Sequence, residues 1–171
     1  MDPLVSKIVR WELEQAFHHL DCLNVLSKEH ILVPVNNSKP GEAGGSHWSL
    51  LYLHAPTAAF TYVDSFEDLT LNEEHGRRLA ANLSGYFGFT GYDFHIFDSV
   101  KQQNSNDCGL YVIAYTHNFL TESVITNSNL GKSIQFTLRC LKELQQPPLF
   151  VTIGKIDCYY RWNYNNIFFA S

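Results

Sequence analysis

Gln102-Gln103-Asn104-Ser105-Asn106-Asp107-Cys108-Gly109 leads straight into Leu110, Val112, Ile113, Ala114, Phe119 and Leu120. The first part is a polar loop. The second is apolar almost all round a helix, the signature of a helix buried at the centre of a domain. Ser105, Asn106 and Asp107 are residue types that cap helix N-termini, so Cys108 is expected to open that helix. The partial positive charge of a helix start stabilises an anion and lowers a thiol's pKa from its free value of about 8.5. Gly109 leaves the backbone beside the thiol without a side chain, so a substrate can come close. Gln102 stands six residues upstream, within reach of the sulfur if the loop folds back, and with the Cys108 N–H it forms a donor pair for an oxyanion. Alone, a cysteine at a helix start is more often an inert core residue.

Working outward, His47-Trp-Ser-Leu-Leu-Tyr-Leu-His54 and Phe60-Thr-Tyr-Val-Asp-Ser-Phe66 flank a Pro-containing connection and read as a β-hairpin. His47 lies at the entry of the first strand, after Gly44-Gly45, and Asp64 near the end of the second. If the register puts both on one face, the carboxylate holds the imidazole in the tautomer a general base needs. A slip of one residue sends them to opposite faces.

Around this centre, residues 3–26 carry helical spacing through Leu4, Ile8, Trp11, Ala16 and Leu20. His30 to Val35 is a short β-branched strand, followed by a loop rich in Asn, Ser, Gly and Pro over 36–46. Thr70 with Glu73 makes a capping box ahead of a helix over about 71–87, and Asp93 to Val100 is a further strand. Ile134, Leu138, Leu141 and Leu144 mark another amphipathic helix, stopped by Pro147-Pro148. The order describes one α+β domain over 1–171, with helices outside a small, mostly antiparallel sheet. Residues 149–171 form an atypical aromatic tail (Phe150, Tyr159, Tyr160, Trp162, Tyr164, Phe168, Phe169) without a clear period.

Composition sets the class. The 171 residues are 45% hydrophobic and 17% charged, enough apolar material for a core and against disorder. A net charge of −5 with 12 Lys+Arg provides no basic footprint for nucleic acid or an anionic membrane. No stretch approaches the roughly 18 consecutive apolar residues of a membrane span, and no signal peptide is legible. Cys22, Cys108, Cys140 and Cys158 lack paired spacing, so reduced thiols in the cytosol or nucleus are expected. His18 and Cys22 stand at i, i+4 without a second ligand pair, so no metal is expected. His75, His95 and His117 are read as structural.

Taken together, Gly44-Gly45-Ser46-His47-Trp48-Ser49-Leu50-Leu51, Tyr62-Val63-Asp64-Ser65 and Gln102-to-Gly109 resemble the three catalytic blocks of the ubiquitin-like-protein-specific cysteine proteases, the sentrin/SUMO-protease superfamily. The Gly-Gly-Ser-His-Trp-Ser-Leu-Leu wording and the compact spacing are most similar to its deneddylase branch, which acts on the modifier Nedd. The resemblance covers about residues 30–145. It implies a papain-like α+β core with His47 as general base and acid, Asp64 as orienter, Cys108 as nucleophile and Gln102 as oxyanion donor. It also implies that Trp48 lines a narrow tunnel over the modifier's C-terminal Gly-Gly, with Asp107 and Gly109 beside the substrate. A monomer without cofactor, acting on a ubiquitin-like modifier and its conjugates, follows from it. The segment 1–29 is shorter than the family's, and the Trp-Leu-Asn-Asp motif whose Trp closes the tunnel is not found in it. An inactive module that binds a ubiquitin-like protein is therefore the alternative. An acyltransferase with the same His-acid-Cys set ranks after it.

Overall fold

The computed structural model describes residues 1–42, 44–66 and 70–120, and three strands within 150–170. The expected helix over 3–26 is split. α1 (Pro3–Trp11) starts on Asp2, whose side chain accepts the Leu4 N–H at 2.7 Å, with Pro3 in the first turn. It ends at Glu12, whose carbonyl accepts from Gln15 and Ala16 and so starts α2 (Leu13–Cys22). The apolar spacing alone fits one continuous helix, so the break was invisible to it. Leu4, counted on the apolar stripe, is exposed, whereas Val9 and Arg10 are buried.

β1 (His30–Asn36) pairs antiparallel with β2 (Trp48–His54), and β2 antiparallel with β3 (Ala59–Val63). The hairpin connection is a 3₁₀ turn over Ala55–Thr57 followed by Ala58 at φ +50°. The capping-box helix is α3 (Thr70–Phe87), and it crosses over to β4 (Asp93–Phe97), which pairs parallel to β3. Parallel neighbours require such a crossover, so the sheet, in order β1-β2-β3-β4, is mixed. α4 (Cys108–Leu120) begins at the cysteine as expected.

Alternation along the strands builds a core on both faces. Val33, Val35, Leu51, Leu53, Phe60 and Tyr62 pack with Val9 of α1, Ala16 and Leu20 of α2, and Leu79 and Leu83 of α3. On the other face Leu50 and Val63 pack under Tyr111, Val112, Ala114 and Tyr115 of α4. α4 lies against the sheet, which accounts for its near-continuous apolar composition. α3 approaches β3 closely: a Cβ on Gly76 would lie 2.7 Å from the Tyr62 ring. Asn82 of α3 donates to the carbonyls of Val9 and Arg10 at 2.7 and 3.3 Å, satisfying orphan acceptors at the end of α1.

β5 (Phe150–Ile153), β6 (Ile156–Asn163) and β7 (Asn166–Ala170) form a separate antiparallel sheet, so the aromatic tail takes up strands. The helix expected through Ile134–Leu144 falls outside the described residues.

Candidate active site

The order of strands delivers the site to one end of the sheet. β2 starts directly after His47, and β3 ends directly before Asp64. Leu50 stands opposite Val63, so continuing the register puts His47 opposite Phe66 and Asp64 two residues back on the same face. Such diagonal neighbours are within reach of long side chains. The His47 and Phe66 rings lie 5.5 Å apart, and His47 Nε2 meets Asp64 Oδ1 at 2.7 Å. Both residues are buried, at 5% and 8% exposure, so the pair is shielded from water and salt.

Asp64 is held from several sides. The Tyr62 hydroxyl donates to Oδ2 at 2.8 Å, and the Phe66 N–H donates to Oδ1 at 2.9 Å. Ser99 Oγ and Lys101 Nζ donate to its main-chain carbonyl at 2.8 and 3.2 Å. Burial and the Asp64 charge push the Tyr62 phenol far above its ordinary pKa, so it remains a donor. The motif wording includes Tyr62 but gives it no role. The signal that finds it is period 2, since residue 62 shares the face of residue 64.

The loop before α4 is organised by Asn104 rather than by Ser105 or Asn106. Asn104 Oδ1 accepts the N–H groups of Asn106 and Asp107 at 2.9 and 3.0 Å, and its Nδ2 donates to Asp107 Oδ2 at 2.8 Å. The Asp107 carbonyl then accepts from Leu110 and Tyr111, starting the helix. Asp107 thus spends a carboxylate oxygen within the loop.

Cys108 is 6% exposed. Burial pushes its thiol up, but the hydrogen bond to His47, the Trp48 N–H, the His47 charge and the Gly109 N–H together bring it below its ordinary value. Burial lowers His47, and this is outweighed by its hydrogen bonds to Asp64 and Cys108 and by their charges, which raise it to about 9. The two shifts together favour a thiolate–imidazolium pair. Helix-start chemistry contributes through the Gly109 N–H, while His47 supplies the larger share. Gly109 is itself buried, so its backbone serves the sulfur rather than an open surface.

Gln102 is held by Ser65 and Asn104. Its N–H donates to the Ser65 carbonyl at 2.8 Å, and its Oε1 accepts from Ser65 Oγ at 2.6 Å. Its Nε2 donates to the Asn104 carbonyl at 2.5 Å, using one of two amide hydrogens. Ser65, which the motif wording includes without a role, thereby fixes which end of the amide faces the cysteine loop. Trp48 is half-buried against the cluster of Leu50, Tyr111 and Tyr115. Elsewhere, His18 Nε2 and the exposed Cys22 Sγ lie 3.8 Å apart. Among the described residues no three His, Cys, Asp or Glu side chains gather as metal ligands, and no helix is long and apolar enough to cross a membrane.

A thiol at the start of a helix packed on the sheet, facing a His–Asp pair carried by antiparallel strands, is the arrangement of the papain-like cysteine proteases. The comparisons narrow that class. The chain is 35% identical to rat sentrin-specific protease 8 over 100 residues, 57% of this chain and 45% of that protein. It is 32% identical to the human protein of the same name over 99 residues, 57% of this chain and 46% of that one. The match thus spans less than half the length of these relatives. No protein-family model matches the chain. In fold, it superposes on the C-terminal Ulp1 protease domain solved with Smt3, the yeast SUMO orthologue, with a TM-score of 0.60 at 17% identity. That likeness covers 80% of this chain and 64% of that one. The Xanthomonas campestris effector XopD, solved bound to ubiquitin, gives 0.51 at 17% identity over 81% of this chain and 76% of that one. The resemblance read from three motifs therefore holds in sequence and in fold.

Proposed function

We propose that this chain is a cysteine peptidase that cleaves after the C-terminal Gly-Gly of a ubiquitin-like modifier, with Nedd the preferred one. The observation that carries the reading is the buried His47–Asp64 contact of 2.7 Å beside a Cys108 whose thiol is drawn below its ordinary pKa. The names of the sequence relatives and the partners bound in the two solved neighbours support a ubiquitin-like substrate. The Gly44-to-Leu51 wording, most similar to the deneddylase branch, favours Nedd.

The Cys108 thiolate attacks the carbonyl carbon of the terminal glycine, and the carbonyl electrons move onto oxygen. The Cys108 N–H and the Gln102 amide supply hydrogen bonds to that oxyanion. His47 gives its proton to the departing amine, whether a lysine ε-amine or a peptide nitrogen, and a thioester remains. His47 then takes a proton from water as the water attacks, and the free carboxylate leaves. Trp48 lines the passage that only two glycines thread. One chain carries every group used, so the reading takes a monomer, and its need for a reduced thiol fits a reducing compartment, the cytosol or nucleus.

The test is incubation with C-terminal electrophile probes of Nedd, SUMO and ubiquitin, with Cys108→Ala as control. An adduct with the Nedd probe that is lost in the variant is the expected result. A folded protein that binds the modifiers but forms no adduct would replace this reading with a binding module.

A further inference from the structure

His47 precedes β2, beyond the last Cα pair of the β1–β2 ladder, Asn36 with Trp48. Side chains join the main chain there. The Asn37 N–H donates to the His47 carbonyl at 3.2 Å, and Asn36 Nδ2 donates to the same carbonyl at 3.1 Å. Asn37 Oδ1 accepts the N–H groups of Ser46 and His47 at 2.8 and 3.1 Å, and Asn37 Nδ2 donates to Ser46 Oγ at 3.0 Å. Both backbone polar groups of His47 are thus held by two consecutive asparagines.

Gly45 fits this closure. A Cβ there would lie 2.1 Å from Asn36 Oδ1 and 2.6 Å from Asn37 Oδ1, distances no side chain tolerates. The asparagines are anchored in turn. Arg10 of α1, 2% exposed, donates to the carbonyls of Asn36 and Ser38, and the Ser38 N–H donates to Asn36 Oδ1 at 2.9 Å.

We propose that Asn37 is a positioning residue: its amide oxygen sets the peptide groups at Ser46 and His47 and so places the imidazole between Asp64 and Cys108. Past the end of the ladder His47 keeps one main-chain bond, from the Asn37 N–H, and its own N–H depends on the Asn37 side chain, while tolerance at catalytic sites is about 0.5 Å. The groups that face His47 are Asp64 and Cys108; Arg10 and His75 reach the Asn36 carbonyl instead. The catalytic meaning of this role rests on the peptidase reading, but its physical readout does not.

The test is the pH profile of iodoacetamide alkylation at Cys108 in the full chain, resolved from the other cysteines by peptide mass spectrometry, beside the thermal transition. Asn37→Ala is expected to move the alkylation midpoint up by about one pH unit, roughly tenfold slower labelling at pH 6. Asn37→Asp keeps the acceptor and is expected to label within about twofold of wild type, which is less than a third of a pH unit. Gly45→Ala, which pushes the amides aside while leaving Asn37 in place, is expected to match Asn37→Ala and serves if that variant does not fold. A folded Asn37→Ala protein with the wild-type profile, or an Asn37→Asp profile as displaced as that of Asn37→Ala, overturns the proposal. If these profiles hold but no modifier probe forms an adduct with wild type, the peptidase reading fails and the positioning role stands.

Discussion

Histidines stand at both ends of β2, and they have different surroundings. At the start, His47 is buried, its imidazole bonded to a carboxylate and to the Cys108 thiol, and its pKa is raised to about 9. At the far end, His54 stacks on the exposed His30 with ring centroids 5.1 Å apart, and their polar partners are hydroxyls. Tyr52 Oη lies 2.7 Å from His30 Nδ1, and Thr57 Oγ1 lies 2.7 Å from His54 Nδ1. Both ends are rich in hydrogen bonds, so hydrogen bonding alone does not separate them. The difference is a buried carboxylate and a thiol, which couple the His47 proton to a nucleophile.

The largest test of that contrast is Cys108→Ala or His47→Ala. Either is expected to lower kcat for a modifier–fluorophore substrate by roughly 10⁴–10⁶-fold, because the groups act as a unit. Asp64→Asn comes next, at about 10²–10⁴-fold, since the imidazole loses its orienting anion. The pH profile should move with it. In the wild type, activity rises with pH as the Cys108 thiol ionises, below its ordinary pKa, and falls again as His47 loses its proton near 9. Without the Asp64 charge the His47 pKa drops, so the alkaline limb of kcat/KM should shift to lower pH. An unmoved alkaline limb would show that Asp64 does not set the histidine.

Tyr62→Phe removes one donor from the Asp64 carboxylate and leaves the ring in place. It is expected to cost about 1–3 kcal/mol of stability, read by thermal or urea unfolding, and to lower kcat about tenfold. The smallest effect belongs to the far end. His54→Ala and His30→Ala should leave kcat/KM unchanged and shift stability by no more than about 0.5 kcal/mol. A large loss of activity in either would break the comparison.

The chemical residues were legible because each lies at an element boundary with a local signature. The polar loop before an apolar helix marked Cys108, and the hairpin pattern marked the strands that carry His47 and Asp64. The partners that hold them were not legible to the same degree. Tyr62 and Ser65 were visible as members of the block around Asp64 without a role of their own, Asn37 as loop polarity, and Arg10 as one charge in an amphipathic helix. Ser65 and Arg10 act far along the chain, 37 positions for Ser65 and Gln102 and 28 for Arg10 and Ser38, while Asn37 reaches His47 across a loop and Tyr62 reaches Asp64 through the strand's own period. The break at Glu12 was hidden because Val9, Ala16 and Leu20 keep helical spacing across it.

The sequence by itself determined the element types around the site, the order His–Asp–Cys and the residue chemistry at each boundary, because periodicity, capping and turn propensity are local properties of a few neighbouring residues. Tertiary structure alone decided that His47 and Asp64 share a face, since one residue of register would have separated them. It also decided that β3 and β4 run parallel, and that a buried arginine from the first helix braces the loop leading to His47. Those outcomes depend on which distant surfaces bury together, and burial is settled by the packed core as a whole.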